Sequence, residues 1–292
     1  MSTIASPAAG SEARIARRET LRQLLRSPTF LTGAAIVGFW VFCAVFGFAI
    51  APHDPQDQSF TPLLRPGGAH LLGTDNLGRD VFSRVLVGAG DILKVAPLAT
   101  LLGIAGGTVI GLVTGYFRGL VDNVISRIVD AWLALPVIVI AVTALVALGA
   151  STITLIVVIG VVFMPIVSRT VRAAVLGERQ LEYVQAARLR GERAPYAMFV
   201  EILPNVMGPI IVEATVRLGY AIFTVAGLTF LGFGVQPPSP DWALQISDGY
   251  SLLNDTAHQG NYWIVLFPGM AVASLVIGVN LIADGISRAL ER

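Results

Sequence analysis

Long apolar runs, all but one without a charge, alternate along this chain with polar segments, most of them arginine-bearing. Residues 30–50 form the first run, 21 positions with no charged side chain. A helix of about 20 residues crosses the ~30 Å hydrocarbon core of a bilayer. Runs at 95–117, 131–150, 152–168, 206–231 and 262–283 predict five more spans. The third is broken at Pro136, and the fourth is short, contains Pro165 and has room to run on past Arg169. Backbone groups in hydrocarbon must be satisfied within the segment, which a helix achieves alone. The alternating strands of about 10 residues that a barrel needs do not occur. The predicted fold class is all-α: a polytopic membrane protein with six transmembrane helices. Ala49-Ile50-Ala51 resembles a signal-peptidase site, but the run exceeds the roughly 7–15 residues of a signal core and Pro52 follows, so it reads as an uncleaved span.

The polar segments divide the chain further. Residues 1–29 read as an Arg-rich tail, disordered or interfacial, and 51–94 as a loop rich in Pro and Gly. Asp80 can cap a short helix in that loop, with Val81, Phe82, Val85 and Leu86 as an apolar face. This predicts an amphipathic helix lying at the membrane surface. Residues 95–288 then hold a core of five spans, interrupted by a polar island at 181–205 and a proline-rich loop at 232–261. Tyr262 and Trp263 stand at the edge of the last span as interfacial anchors. Six spans place both termini and the island on one side, which collects fifteen basic residues against four on the other. Cytoplasmic loops carry the excess of Lys and Arg, so that side is predicted to be the cytoplasm of a bacterial plasma membrane.

Composition agrees with a bilayer as the surroundings. The chain is 54% hydrophobic and 13% charged, against about 25% charged in soluble domains, with a mean hydropathy of +0.73. A net charge of +1 and the absence of basic–aromatic blocks exclude a nucleic-acid partner. Cys43 is the one cysteine, inside an apolar run, so no intrachain disulfide forms. The one lysine, Lys94, lies between Leu93 and Val95, so no G-x-x-x-x-G-K-[ST] loop exists. If transport is ATP-driven, another polypeptide holds the nucleotide. His53, His70 and His258 are scattered, with no metal-ligand spacing such as H-E-x-x-H, and no metal site is expected. No G-x-S-x-G or Ser/His/Asp arrangement appears, so no catalytic residue is expected.

Two features inside the spans stand out. Gly103, Gly107, Gly111 and Gly115 recur every fourth residue on one helix face, where another helix can approach closely. Packing is the favoured reading and pore lining the alternative. Glu213 and Arg217 are four apart in the fifth span. A charge at the bilayer centre costs about 2.5–3.5 kcal/mol, which pairing or a wet cavity reduces. They read either as a salt bridge satisfying both groups or as part of a substrate path. Arg127 and Asp130, at i,i+3, read as a local pair before the third span.

The island LEYVQAARLRGERAPYAMFVEILPN reads as two short helices. Gly191 ends the first, Pro195 opens the second, and Pro204 stops or kinks it. Ala186 and Ala187 carry little side chain, so another surface could approach the backbone there. Ala186-Ala187, Gly191 and Leu203-Pro204 at this spacing resemble the cytoplasmic coupling loop of ABC-importer permeases, with Gln185 where that family usually has Glu and Glu182 three residues earlier. The runs LGTD (72–75), LGRD (77–80) and LGFGVQPP (231–238) resemble the dipeptide/oligopeptide/nickel branch, C-type subunit. The resemblance covers about residues 25–290. It implies a heterodimer with a second permease subunit, two ATP-binding subunits carrying ATP and Mg, and an extracytoplasmic solute-binding protein. It also implies that Glu182, Gln185, Ala186, Ala187, Gly191, Leu203 and Pro204 couple to an ATPase. An ion-gradient-driven secondary transporter is the competing reading, though no inverted repeat is evident.

Overall fold

The computed structural model describes residues 23–254 and 261–290. Most of the Arg-rich tail, His258 and Arg292 lie outside the described residues. Among the described residues there are helices and no strand. Five helices are long and apolar enough to cross a membrane: α1 (Pro28–Ile50), α2 (Val81–Phe117), α5 (Thr152–Glu178), α9 (Met207–Phe230) and α11 (Trp263–Leu290). Between α2 and α5 lie α3 (Gly119–Leu133) and α4 (Val137–Leu148), bent by 89° at the break before Pro136. The third expected span is therefore not one rod. α4 has 12 residues, about 18 Å of helix, and the count reaches six spans only if the bent pair is taken as one.

A second difference concerns residues 81–94. They form no separate surface helix but the opening turns of α2, a continuous 37-residue helix running through Pro97. Residues on every face there are buried, among them Val81, Ser83, Arg84, Val85, Leu86, Val87, Gly88 and Ala89. α1 covers one side, where Gly47 lies against Val87, and the 239–242 segment covers another, where Gly88 faces the Pro240 carbonyl. A single-helix periodicity cannot anticipate cover supplied by segments up to 160 residues away. Lys94 does not end the helix because its side chain lies on the exposed face. At about 1.5 Å per residue, α2 is ~55 Å long and projects well beyond a ~30 Å core.

The glycine stripe sets the centre of the bundle. Gly103 faces Phe163, Gly107 faces Val167, Gly111 faces Val171 and Gly115 faces Val175 of α5, with the two sets advancing together four residues at a time. A β-carbon at Gly107, Gly111 or Gly115 would stand 2.5–2.6 Å from the opposing valine. Helix packing in membranes relies on such close backbone approach because lipid offers no hydrophobic drive between helices. α1 joins by the same device, Gly33 lying under the Gly278 carbonyl of α11, and the Trp40 indole donates to Ser274 Oγ at 2.8 Å.

Loops 51–80 and 231–250 share one end of the bundle, the loop end. There Trp242 of α10 (Trp242–Tyr250) donates to the Val85 carbonyl at 2.7 Å, and Trp263 donates to the Thr74 carbonyl at 3.2 Å. Arg79 bridges Asp75 (2.6 Å) and Asp248 (3.3 Å), and Arg84 reaches the carbonyls of Pro55 and Ser239. The 181–205 island closes the opposite end.

Candidate functional site

The island folds as α6 (Glu182–Leu189), α7 (Ala194–Tyr196), a π-helical turn (Ala197–Ile202) and α8 (Leu203–Asn205), leading directly into α9. Gly191 ends α6 at φ +78°. Its N–H donates to the Arg188 carbonyl at 3.0 Å and the Glu192 N–H to the Ala187 carbonyl at 3.2 Å. This is a Schellman closure, which needs a left-handed residue at the Gly191 position. Nothing lies within 4 Å of a β-carbon built there, so the glycine answers to backbone conformation and not to space.

The segment has a buried face and a bare one. Val184, Met198, Ile202 and Val206 pack with Leu112 of α2 and with Val167, Val171 and Val175 of α5, and Ala187 is buried as well. The glycine-packed pair and the island thus share one apolar cluster. Polar bonds fasten the rest. Tyr183 Oη donates to Glu178 at 2.6 Å, and Asn205 donates to Tyr183 Oη at 3.2 Å and to the Glu201 carbonyl at 2.8 Å. Burial, then the Glu178 carboxylate, pushes the Tyr183 phenol up to about 12. Arg188 lies over the Tyr116 ring at 4.6 Å.

This arrangement separates the two alanines. Ala187 is fully buried within the chain itself, so no outside surface approaches its backbone, whereas Ala186 is exposed. Glu182, Gln185, Gly191 and Pro204 are also exposed, while Leu203 is half-buried. Gln185 donates to the Gln180 carbonyl at 3.0 Å. Four large apolar residues of the island that motif spacing did not single out are exposed: Leu189, 90% exposed, with Tyr196, Phe199 and Val200. Their signal was present in the sequence. Leu189 falls off the Val184–Ala187 stripe, so an apolar residue there has no partner within its own helix.

Within the membrane-spanning part, Arg217 Nε meets Glu213 Oε1 at 2.5 Å, and Thr170 of α5 donates to the other Glu213 oxygen at 3.2 Å. Both side chains are mostly buried, at 17% and 12% exposure. Asp130 pairs with Arg169 of α5 and not with Arg127. Arg172 grips Asp122 of α3 through two bonds of 2.7 Å. A polar cavity of about 380 Å³ opens between α2, α3 and α5, lined by Thr114, Ser126, Asp130, Ser168, Arg169 and Arg172. Sequence spacing could not pair Asp122 with Arg172, because the partners are 50 residues apart.

Residues 107–292 match the model of the family described as binding-protein-dependent transport system inner membrane component. The chain belongs to this permease family. Residues 17–66 also match the N-terminal TM domain of oligopeptide transport permease C, which places the permease in the C-type branch. It is 36% identical to a dipeptide transport system permease protein of Alkalihalophilus pseudofirmus, over 94% of this chain and 89% of that one. Identity is 38% to a di/tripeptide transport system permease protein of Pseudomonas aeruginosa, over 86% and 84%. It is 33% to a glutathione transport system permease protein of Pectobacterium atrosepticum, over 94% and 90%. The permease is accordingly a multi-pass inner-membrane subunit of an ABC importer that works with ATPase and substrate-binding subunits, and the ion-gradient alternative falls away.

Proposed function

We propose that this permease carries di- and oligopeptides inward as one half of a translocation path completed by a second permease subunit. The observation that carries the substrate class is similarity at 33–38% identity, over most of the chain, to permeases named for dipeptide, di/tripeptide and glutathione transport. Two ATPase subunits hold ATP and Mg, and a solute-binding protein delivers peptide at the loop end. Both termini and the island lie in the cytoplasm, in line with the excess of basic residues there.

In this reading an ATPase grips the bare face of the island, with Leu189, Tyr196, Phe199 and Val200 entering its cleft and Glu182, Gln185, Ala186, Gly191 and Pro204 around them. Ala187 and Leu203 act from inside, holding the shape. Because the island shares an apolar cluster with α2 and α5, force applied to it reaches the glycine-packed pair without slack. Packed interfaces with discrete arrangements turn such a push into a switch between inward- and outward-open states. Glu213 and Arg217 brace α9 to α5 beside the path, since their charges are satisfied by each other and by Thr170.

The test is uptake of labelled di- and oligopeptides by a strain lacking this gene, with the chain resupplied. Wild type should restore uptake. Leu189→Asp and Phe199→Asp should leave the permease in the membrane but abolish both uptake and co-purification of ATPase subunits. Restored uptake of neither peptide class refutes the substrate assignment, and retention of ATPase by both variants refutes the docking face.

A further inference from the structure

Three segments meet at the loop end around one carboxylate. His53 comes from the stretch just after α1. His70 comes from a tight turn closed by paired backbone bonds of 2.9 Å with Gly67. Asp80 is the N-cap of α2. One ligand-capable atom from each lies within 4.8 Å of the others. His70 Nδ1 is 2.8 Å from Asp80 Oδ1, and His53 Nδ1 is 3.8 Å from Asp80 Oδ2. The second distance is too long for a hydrogen bond. His53 Nδ1 is nonetheless buried and has no hydrogen-bond partner. An orphaned imidazole nitrogen in a built polar site calls for an explanation.

We propose that His53, His70 and Asp80 form a binding site for a divalent transition-metal ion of the zinc class. Zinc bonds to imidazole and carboxylate are about 2.0–2.2 Å, so two ligands on a tetrahedral centre stand ~3.3 Å apart. The observed 2.8 Å from His70 to Oδ1 and 3.8 Å from His53 to Oδ2 lie on either side of that value. All three ligand atoms lie within 4.8 Å of one another, so side-chain shifts of ~1.5 Å or less close them onto an ion. The ion takes the place of the proton between His70 Nδ1 and Asp80, and that proton moves to Nε2. Two imidazoles with one carboxylate favour zinc and its neighbours over calcium or magnesium, which prefer oxygen ligands.

The surroundings supply what a metal ligand needs next. Asp80 Oδ2 is held by the Ser83 N–H at 2.8 Å and the Ser83 hydroxyl at 2.7 Å, leaving Oδ1 for the ion. The His53 N–H donates to Ser83 Oγ at 3.1 Å, which ties one ligand to the support of another. The Phe60 ring stands edge-on to both imidazoles, at 4.9 and 4.6 Å between centroids, and walls off one side. The His53 side chain is 25% exposed, so the fourth position opens to water. A metal here staples the 51–80 loop to the head of α2.

The full chain, with its partner subunits and a tag free of histidine, is stripped with chelator in nanodiscs and titrated with zinc and with cobalt(II). The expected result is one tightly held zinc per chain beyond that of His53→Gln, and visible cobalt d–d bands of a four-coordinate site. His53→Gln and His70→Gln should each weaken binding roughly tenfold or more, since each removes one of three protein ligands. His53→Gln breaks no side-chain hydrogen bond and should keep the metal-free melting temperature. Should a variant fail to fold, zinc X-ray absorption on the wild-type complex decides, two imidazoles with a carboxylate supporting the site. Wild-type binding no greater than that of His53→Gln, binding that survives both substitutions, or an absorption spectrum without imidazole overturns it.

Discussion

Gly107 of α2 lies so close to Val167 of α5 that a methyl group on the glycine would stand 2.5 Å from the valine β-carbon. A glycine meets a valine in the same way at Gly111 and Gly115, Gly103 meets Phe163 a turn earlier, and no other pair of helices packs so extensively among the described residues. Gly107→Leu forces the helices apart. Overpacking of this kind costs about 1–3 kcal/mol. The measurement is thermal unfolding of the complex in nanodiscs, with Gly38→Ala as control, because nothing lies within 4 Å of a β-carbon there. The glycine variant should melt well below wild type and the control should not. Equal melting temperatures would mean that the pair tolerates separation.

Ala187 and Ala186 should respond differently to the same change. Ala187→Leu forces a larger side chain into a position with no exposed surface and should lower stability, uptake and ATPase retention together. Ala186→Leu adds bulk on the exposed face and should leave the melting temperature alone while weakening ATPase retention. A stability loss from the Ala186 change would show that this face is covered within the chain.

Gly191 offers a test of backbone conformation without a packing effect. A residue with a β-carbon in the left-handed region costs about 1–2 kcal/mol, and a β-branched one more. Gly191→Val should unfasten the Schellman closure, and Gly191→Asn should recover most of the loss because Asn tolerates that region. Protease sensitivity at 189–195 reads it directly. Valine and asparagine variants cut at the same rate would show that the turn does not depend on φ at this position.

The Glu213–Arg217 pair can be separated from the path by a cycle of substitutions. Glu213→Gln or Arg217→Gln alone strands a mostly buried charge and should cost up to about 3 kcal/mol. The double change leaves neither charge and should be milder than the worse single change. If it folds and still imports peptide, the pair is a brace. If it folds and uptake disappears, one of the charges acts on the substrate path.

Asp241 predicts a pH dependence with a definite sign. Burial raises its carboxyl to about 6, with Asp91 adding to the shift and the N–H groups of Ala243 and Leu244 opposing it. The folded state therefore binds a proton more readily than the unfolded chain. The stability this lends is fully present below about pH 4 and is lost as pH rises through about 6. Asp241→Asn keeps the helix cap and removes the titration. The variant's advantage over wild type should grow between pH 4 and pH 7 by up to about 3 kcal/mol and then level off. A constant difference across that range would show that Asp241 does not change protonation on folding.

Residues 30–50 and 206–231 were legible as spans because a predominantly apolar run of that length has few other stable arrangements in a cell. The break at Gly191 was legible because glycine alone enters the left-handed region at little cost. The missing phosphate-binding loop followed from the neighbours of one lysine. Each of these depends only on a residue and the few beside it along the chain.

What needed the tertiary structure depended on residues far apart in sequence. The 81–94 segment looked like a surface helix until α1 and the 239–242 segment were seen to cover its second face. Ala187 looks free in the sequence but is fully buried in the fold, and Asp130 pairs with Arg169 and not with its neighbour three residues away. His53, His70 and Asp80 look unrelated along the chain and lie within 4.8 Å in space. Periodicity along a helix tells which residues share a face, but what meets that face is set by chain folding. Apolar length and local backbone geometry therefore determined the spans and the turn, while burial, ion pairing and the clustered ligands were decided by which helix lay alongside which.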